Sequence, residues 1–190
     1  MKSVLISIQP KWCELIASGK KTVEVRKTKP KLETPFKVYI YCTNGKPLIK
    51  TAANSCFVDN AYIEGENLYG LYEKINGKVI GEFVCDKVVE FENSFFEPAF
   101  EETADLSCLD FEGLALYLGE KDYGYGWHIS DLVIYDKPKE LEEFKKYNRT
   151  EDDCKYSHLG YAIPKCEYCH GCQLTRPPQS WFFVEELKGE

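Results

Sequence analysis

The chain contains several short segments in which apolar residues alternate or run together, as is typical of β-strands. Connections of unequal length join these segments. Only one helix is predicted among the first strands, so regularly alternating β-α-β units are not indicated. We therefore expect an α+β fold, in which a small mixed β-barrel is flanked by helices. The predicted strands cover residues 2–8, 22–26, 37–43, 78–91, 126–135 and 180–187.

The first helix has the clearest boundary signals. Pro10 suits the first helical position, and Gly19 suits the position just past the end. Trp12 and Ile16 fall on one face, as the helical period requires. These signals predict a helix over 10–18.

Three later segments are less regular. Residues 44–76 contain scattered Gly, Asn and Tyr and are interpreted as an insertion. Residues 90–112 hold eight Asp or Glu and no Lys or Arg, which predicts a solvated acidic loop leading into a helix that ends at Gly119. Pro138 is expected to begin a short charged helix that ends near residue 147.

Length and hydropathy predict one soluble domain over residues 1–190. No apolar run approaches the roughly 20 residues that cross a bilayer, so no membrane partner is expected. The first residues form a strand and lack the small-residue cleavage site of a signal peptide. We therefore expect a cytoplasmic protein, and the sequence makes no prediction about its oligomeric state.

Charge is distributed unevenly along the chain. The net charge is −7, which argues against a surface coated with positive charge for nonspecific nucleic-acid binding. Residues 1–50 nevertheless hold eleven Lys or Arg against three Glu, a balance of +8, so the remainder carries −15. This asymmetry indicates a local anion-binding surface, and the alternative is a set of solvated lysines near one end.

The string Gly19-Lys20-Lys21-Thr22-Val23-Glu24-Val25-Arg26 concentrates opposite charges in one place. Alternation along the strand puts Glu24 and Arg26 on the same side, next to Lys21 in the preceding turn. Glu24 could hold both cations in position, and Arg26 could bind a phosphate or a base edge with two hydrogen bonds. The alternative is a row of exposed salt bridges along the strand, which contributes little to the stability of the fold.

The same string resembles the signature G-x-K-x-x-E-x-R of the ASCH domain, a member of the PUA-like superfamily. The ending Arg176-Pro177-Pro178-Gln179-Ser180-Trp181 is similar to that of larger, phage-associated members. The resemblance implies a single PUA-like barrel with a cleft beside the motif, interrupted by the insertion and by a cysteine-rich loop at about 150–176. It also implies that RNA or a modified nucleotide is the partner.

By this resemblance, Gly19, Lys20, Lys21, Glu24 and Arg26 form the ligand-binding surface of an RNA- or nucleotide-binding module. Some members resemble acetylcytidine amidohydrolases, which use a lysine, a threonine and a glutamate. Glu24 stands where that subgroup has its threonine, so the amidase nucleophile is missing at this position.

Other members resemble ribonucleases, and a ribonuclease of this type could use Lys21 for transition-state charge and His128 for proton transfer. If the protein is an enzyme, Glu24 belongs to the same catalytic set. The sequence does not separate binding from hydrolysis. A third hypothesis is a protein-interaction module whose acidic segment 90–112 mimics nucleic acid.

Tryptophans beside cations are suited to stacking on unpaired bases. Trp12 and Trp127 are therefore predicted as ligand-binding residues, and core positions are the alternative for each of them. Neighbours on a strand face opposite sides, so either Trp127 or His128 must leave the core.

Five potential metal ligands crowd into a short segment, with a Cys-x2-Cys spacing that aims two thiolates at one ion. They predict a structural zinc site, with an iron–sulfur cluster and free thiols as the alternatives. The candidate ligands are Cys154, His158, Cys166, Cys169 and Cys172.

Overall fold

The computed structural model describes residues 1–45, 48–51, 57–59, 72–147 and 174–187. Strands predominate, and three α-helices lie among them in these residues. The strands are β1 (Lys2–Ile8), β2 (Val23–Arg26), β3 (Phe36–Cys42), β4 (Leu48–Thr51), β5 (Phe57–Asp59), β6 (Tyr72–Lys74), β7 (Val79–Cys85), β8 (Val88–Glu92), β9 (Tyr123–His128), β10 (Ser130–Lys139) and β11 (Trp181–Glu185). The helices are α1 (Pro10–Ala17), α2 (Pro98–Ser107), α3 (Phe111–Leu118) and a short 3-10 helix (Leu141–Glu143).

The largest sheet has five strands in the order β10-β7-β3-β1-β11. Its centre is a parallel pair, β1 with β3, in which Val4 lies opposite Val38 and Ile8 lies opposite Cys42. Both strands are almost entirely buried, as the apolar, β-branched sequence of β1 predicts. The C-terminal strand β11 pairs antiparallel with β1 and completes this edge.

A second sheet has the order β2-β9-β8 and carries the predicted motif strand. In its register Glu24 lies opposite Trp127, and Arg26 lies opposite Tyr125. Trp127 belongs to the main core beneath the five-stranded sheet. Helices α2 and α3 cover the other side of the three-stranded sheet, with Phe100 and Leu114 in a separate apolar cluster.

The α+β class is confirmed, but the described strands form separate sheets rather than a closed barrel. The predicted strand 78–91 is two strands, because the chain leaves one sheet after Cys85 and enters the other at Val88. The predicted strand 126–135 divides in the same way at Ile129. Side-chain alternation does not reveal where a strand changes its hydrogen-bonding partner, so neither break is predicted from the sequence.

Three predictions on irregular segments need correction. The segment 44–76, interpreted as an insertion, is more regular than expected, since its described residues include three short strands, β4 to β6, which form a small antiparallel sheet. The acidic segment 90–112 contains α2 in addition to the start of α3, which Asp110 caps by accepting a hydrogen bond from the Gly113 amide.

The predicted helix after Pro138 is wrong. Strand β10 continues through Lys139, and only the short 3-10 helix Leu141–Glu143 follows it. Leu141 and Phe144 are buried there, and Lys146 returns to a bridge with Val184 of β11. In the part of the chain that the structure describes, no helix has the length and apolarity needed to cross a membrane.

Candidate functional site

The site is built where α1 ends and β2 begins. Helix α1 starts at Pro10, and the amides of Gly19 and Lys21 bond back to its last turn. Gly19 has a φ of +73°, in the left-handed region, and a Cβ there would meet nothing within 4 Å. The backbone conformation, rather than crowding, therefore favours glycine at this turn.

Lys21, Glu24 and Arg26 form one buried ionic cluster. The Lys21 ammonium lies 3.4 Å from Glu24 Oε2, and Arg26 Nη2 lies 2.9 Å from Glu24 Oε1. The three residues are only 3%, 6% and 8% exposed. Each carboxylate oxygen of Glu24 thus faces a different cation, and the cluster carries a net charge of +1.

Main-chain carbonyls fix both cations from outside the motif. Lys21 Nζ donates to the carbonyl oxygen of Ser107 at 2.9 Å, and Arg26 Nη2 donates to that of Ser7 at 2.7 Å. These bonds tie the cluster to the end of α2 and to β1. Among the described residues, buried Arg26 Nε has no hydrogen-bond partner.

A cleft of about 710 Å³ opens above the cluster. Its charged lining residues in the described part of the chain are Lys21, Glu24, Arg26 and Lys27, with a net charge of +2. The other lining residues are Ser7, Ile8, Gln9, Trp12, Val25, Thr28, Thr43, Leu109, Tyr117, Pro178, Gln179 and Ser180. A volume of this size is typical of small-molecule sites, which range over about 300–1,000 Å³.

Two aromatic side chains flank this charge. Trp12 of α1 lies with its ring centroid 5.1 Å from Lys21 Nζ and 4.5 Å from Lys11 Nζ. Tyr117 of α3 lies 5.5 Å from Lys27 Nζ. Burial raises the pKa of the Tyr117 hydroxyl, and the positive charge of Arg26 only partly offsets this, so the hydroxyl stays a hydrogen-bond donor near neutral pH.

The structure brings together four of the residues chosen from the sequence, namely Lys21, Glu24, Arg26 and Trp12. Gly19 and Lys20 adjoin them in the turn but are not part of the cleft lining, and Lys20 is exposed. The signature therefore combines buried residues that form the floor with exposed ones beside it.

Trp127 and His128 lie elsewhere. Trp127 is fully buried against Phe36 and Trp181 and does not line the cleft, so it occupies the core position that was the alternative to ligand binding. His128 is partly exposed and lies opposite Val23, which puts its side chain on the face of the sheet away from the ionic cluster.

His128 has a partner of its own instead. His128 Nδ1 lies 2.6 Å from Asp86 Oδ1, and this hydrogen bond lowers the pKa of Asp86. The residue is therefore not placed for proton transfer beside Lys21 in this arrangement.

Sequence reasoning missed the wall that the C-terminal segment supplies. Ser7 Oγ donates to the carbonyl oxygen of Pro178 at 2.6 Å, and the Ser7 amide donates to that of Ser180 at 2.9 Å. Trp181 Nε1 donates to Thr28 Oγ1 at 3.1 Å. The string 176–181 had been singled out as a resemblance, but its sequence carries no signal that it lies beside the motif.

The predicted zinc ligands cannot be placed in the same way. Cys154, His158, Cys166, Cys169 and Cys172 lie outside the described residues. Within the described ranges, no group of three or more His, Cys, Asp or Glu side chains could hold a metal ion.

Comparisons with known proteins give one family match and several similar solved structures. The family model of the ASCH domain matches residues 6–145. The crystal structure of ASCH from Zymomonas mobilis gives a TM-score of 0.56 at 17% identity, over 97% of this chain and 88% of that chain. A tyrosine-to-phenylalanine variant of the Zymomonas mobilis protein gives a TM-score of 0.57 at 17% identity, over 98% and 92%. At these identities the likeness shows the fold, and a search of curated proteins gave no match.

Proposed function

Since the chain belongs to the ASCH domain family, whose PUA-like domains generally bind RNA, we propose that its cleft binds single-stranded RNA or a nucleotide. The observation that carries this proposal is the buried ionic cluster at the cleft floor. Lys21 and Arg26 there outnumber Glu24, in a protein with a net charge of −7. A positive recess on an acidic body favours an anionic ligand at one place.

Burial strengthens the attraction between this positive charge and an anionic ligand. Water screens exposed cations strongly, but partly buried charges interact through a lower effective dielectric constant. Glu24 limits the repulsion between Lys21 and Arg26, and the remaining +1 is available to a phosphate or to the oxygens of a base edge. Exposed Lys20 and the rim residue Lys27 extend the positive surface towards neighbouring phosphates.

The aromatic lining favours nucleic acid over a simple inorganic anion. Trp12 and Tyr117 both line the cleft, and base stacking on such rings contributes about 1–3 kcal/mol per base. Gln9 and Gln179 add neutral donors and acceptors suited to base edges.

The proposal is tested by fluorescence anisotropy with a labelled ten-nucleotide single-stranded RNA between 50 and 300 mM salt, conditions that we choose for the assay. Wild type is expected to bind with a salt slope of about −0.7 for each phosphate contact. Lys21→Ala and Arg26→Ala are expected to abolish cleft binding. The matched control is Lys31→Ala, an exposed lysine outside the cleft lining, and it is expected to bind like wild type.

The motif variants need a folding control because both side chains also stabilise the structure. Arg26→Lys keeps the positive charge but removes the planar fork, so it is expected to weaken binding less than Arg26→Ala. Circular dichroism and thermal unfolding identify variants that remain folded. Equal binding by wild type and a folded Lys21→Ala variant would refute the proposal.

Hydrolysis of RNA or of a modified nucleoside is the second candidate. The observation that favours it is the ammonium of Lys21 paired with the carboxylate of Glu24 inside a recess, since such pairs can transfer protons. Incubation with acylated nucleosides and short RNAs, with Lys21→Ala as the control, tests this activity. Turnover by wild type alone would support it, and equal product in both samples would exclude it.

Three finer predictions accompany these candidates. A structural zinc ion in the segment about 150–176 is tested by elemental analysis of the purified protein. The phage-associated type and the cytoplasmic location rest on the resemblance and on the sequence alone.

A further inference from the structure

A group of phenylalanines lies on the outer surface of the α2–α3 pair, away from the cleft. Phe95 and Phe111 stack with ring centroids 6.3 Å apart, and both contact the buried ring of Phe100 edge-on. Phe95 is 56% exposed, Phe111 is 38% exposed, and Phe96 is 96% exposed. We refer to Phe95, Phe96 and Phe111 as the aromatic patch.

Exposure of this kind needs a physical reason. A single exposed apolar side chain is ordinary on a protein surface, but clustered large aromatic rings are characteristic of interaction sites. Phe100 holds Phe95 and Phe111 in place, so these two rings are already ordered in the free protein. Rigid aromatic anchors lose little conformational entropy when a partner covers them.

The surroundings of the aromatic patch are acidic. Residues 90–112 hold eight Asp or Glu and no Lys or Arg. Among the described residues, Glu90 alone of these acids has a basic side chain within salt-bridge distance, namely Lys29. Within the described ranges the other carboxylates of the segment lie in no ion pair, so the part of the chain that carries the aromatic patch keeps a net negative charge.

We propose that the aromatic patch docks a positively charged segment of another protein, in which Lys or Arg side chains surround an apolar anchor. The charge complementarity selects this partner. The carboxylates attract Lys and Arg, and the phenylalanines accept the anchor and the aliphatic parts of the basic side chains. The same carboxylates repel RNA phosphates and anionic lipid headgroups.

The geometry leaves the cleft open when this surface is occupied. Phe111 and Tyr117 are six residues apart in α3, which puts their side chains about 120° apart around the helix. Tyr117 faces the cleft, and Phe111 stacks with Phe95 on the other edge of the buried face. Occupation of the aromatic patch therefore does not cover the cleft, and the two partners can be held at the same time.

The test uses a defined probe, a fluorescein-labelled helical peptide of 18 residues composed of Leu, Lys and one Trp, with the full chain. Saturable binding that weakens with salt is expected for wild type. Phe96→Ser removes the most exposed ring of the aromatic patch and is expected to weaken binding about tenfold or more. Because Phe96 is almost fully exposed, this variant is expected to fold normally.

Matched controls distinguish binding at the aromatic patch from nonspecific binding of the peptide elsewhere on the surface. Leu116→Ser removes another exposed apolar residue, 84% exposed and about 140° from Phe111 around α3, and is expected to bind like wild type. A peptide with Glu in place of each Lys is expected not to bind. Amide shifts in NMR spectra are expected to cluster at residues 95–112.

Several outcomes would overturn the proposal. These are equal binding by Phe96→Ser and wild type, an equal loss in Leu116→Ser, or binding of the Glu peptide. A concentration-dependent dimer that Phe96→Ser abolishes would assign the surface to a second copy of this chain instead. Phe96→Ser is expected to bind RNA with the affinity of wild type. A failure of the peptide test is therefore distinguishable from a failure of the proposed RNA binding.

Discussion

Replacement of Glu24 by glutamine tests whether charge holds the cleft floor together. The change preserves the shape of the side chain and one acceptor oxygen, and it removes the negative charge that pairs with both Lys21 and Arg26. At an effective dielectric constant of about 20, the attractions at 3.4 Å and 2.9 Å are about 5 and about 6 kcal/mol. Because glutamine also avoids the desolvation of a carboxylate, the net loss is smaller than their sum.

Removal of one partner from a buried ion pair destabilises a protein by about 3–5 kcal/mol. We therefore expect Glu24→Gln to lower the free energy of unfolding by about this amount. Domains are stable by only about 5–15 kcal/mol, so the shift in a urea transition is large. Tryptophan fluorescence reports the transition, with Trp127 fully buried in the core.

The control is Glu90→Gln, which removes a salt bridge of the same length at an exposed place. Glu90 Oε2 lies 2.9 Å from Lys29 Nζ, and both side chains are about half exposed. Solvent and salt screen this pair, so no resolvable loss of stability is expected. Small and equal losses in the two variants would refute the argument that burial makes the Glu24 cluster energetically important.

The same variant makes an opposite prediction for binding. Glu24→Gln raises the charge of the cluster from +1 to +2, so the folded protein is expected to bind RNA more tightly, with a steeper salt dependence. The anisotropy assay measures both quantities under conditions in which the variant is folded. Weaker binding by a fully folded variant would show that Glu24 contacts the ligand itself.

Further predictions concern the tryptophans, an exposed ion pair and a glycine. Trp12→Ala is expected to weaken RNA binding by about 1–3 kcal/mol. Because Trp12 is only partly buried where it packs against the main core, this variant is expected to lose less stability than Trp127→Ala, which lowers the free energy of unfolding by about 3–5 kcal/mol. Anisotropy measures the binding and urea titration the stability, and a larger loss of stability in Trp12→Ala would contradict this. The Asp86 pKa is lowered from 3.8 by its hydrogen bond to His128, so the contribution of Asp86 to stability is present above that value and is lost as pH falls through its lowered pKa; Asp86→Asn is expected to remove this part of the dependence of Tm on pH between 2 and 5. Gly81→Ala puts a Cβ against the main chain of β10, so we expect a loss of about 1–3 kcal/mol or more in urea titrations, and a wild-type transition would contradict this.

The sequence predicts well the elements whose ends are marked by local residue types, such as a proline at the start of a helix. Strand β1 was predicted at 2–8 and is found there, and α1 begins at Pro10 as expected. The breaks after Cys85 and at Ile129 were missed because they are changes of partner, which depend on strands far away in the sequence. The failed helix after Pro138 has a related cause, since Leu141 and Phe144 are held by packing against the main sheet rather than by helical propensity.

The candidate site likewise has one part that local sequence predicts and another that it does not. The charged floor lies within one short string, so alternation alone could put Glu24 and Arg26 on one side. The rest of the cleft comes from distant residues: Ser107 holds Lys21 across 86 positions, and Pro178 contacts Ser7 across 171. A local pattern contains no information on such contacts, which explains why Tyr117 and Gln179 were missed.

Charge placement connects the cleft with the acidic outer surface. Residues 1–50 carry a balance of +8, but Lys21 and Arg26 are buried and both line the cleft. The carboxylates of residues 90–112 repel phosphates from the neighbouring face of α2 and α3. Under the proposed function, attraction at one opening combined with repulsion beside it would direct an RNA strand into the cleft more effectively than attraction alone, because the weak nonspecific positions that would compete are removed. The two proposals together therefore assign both RNA selectivity and protein docking to the same acidic side chains.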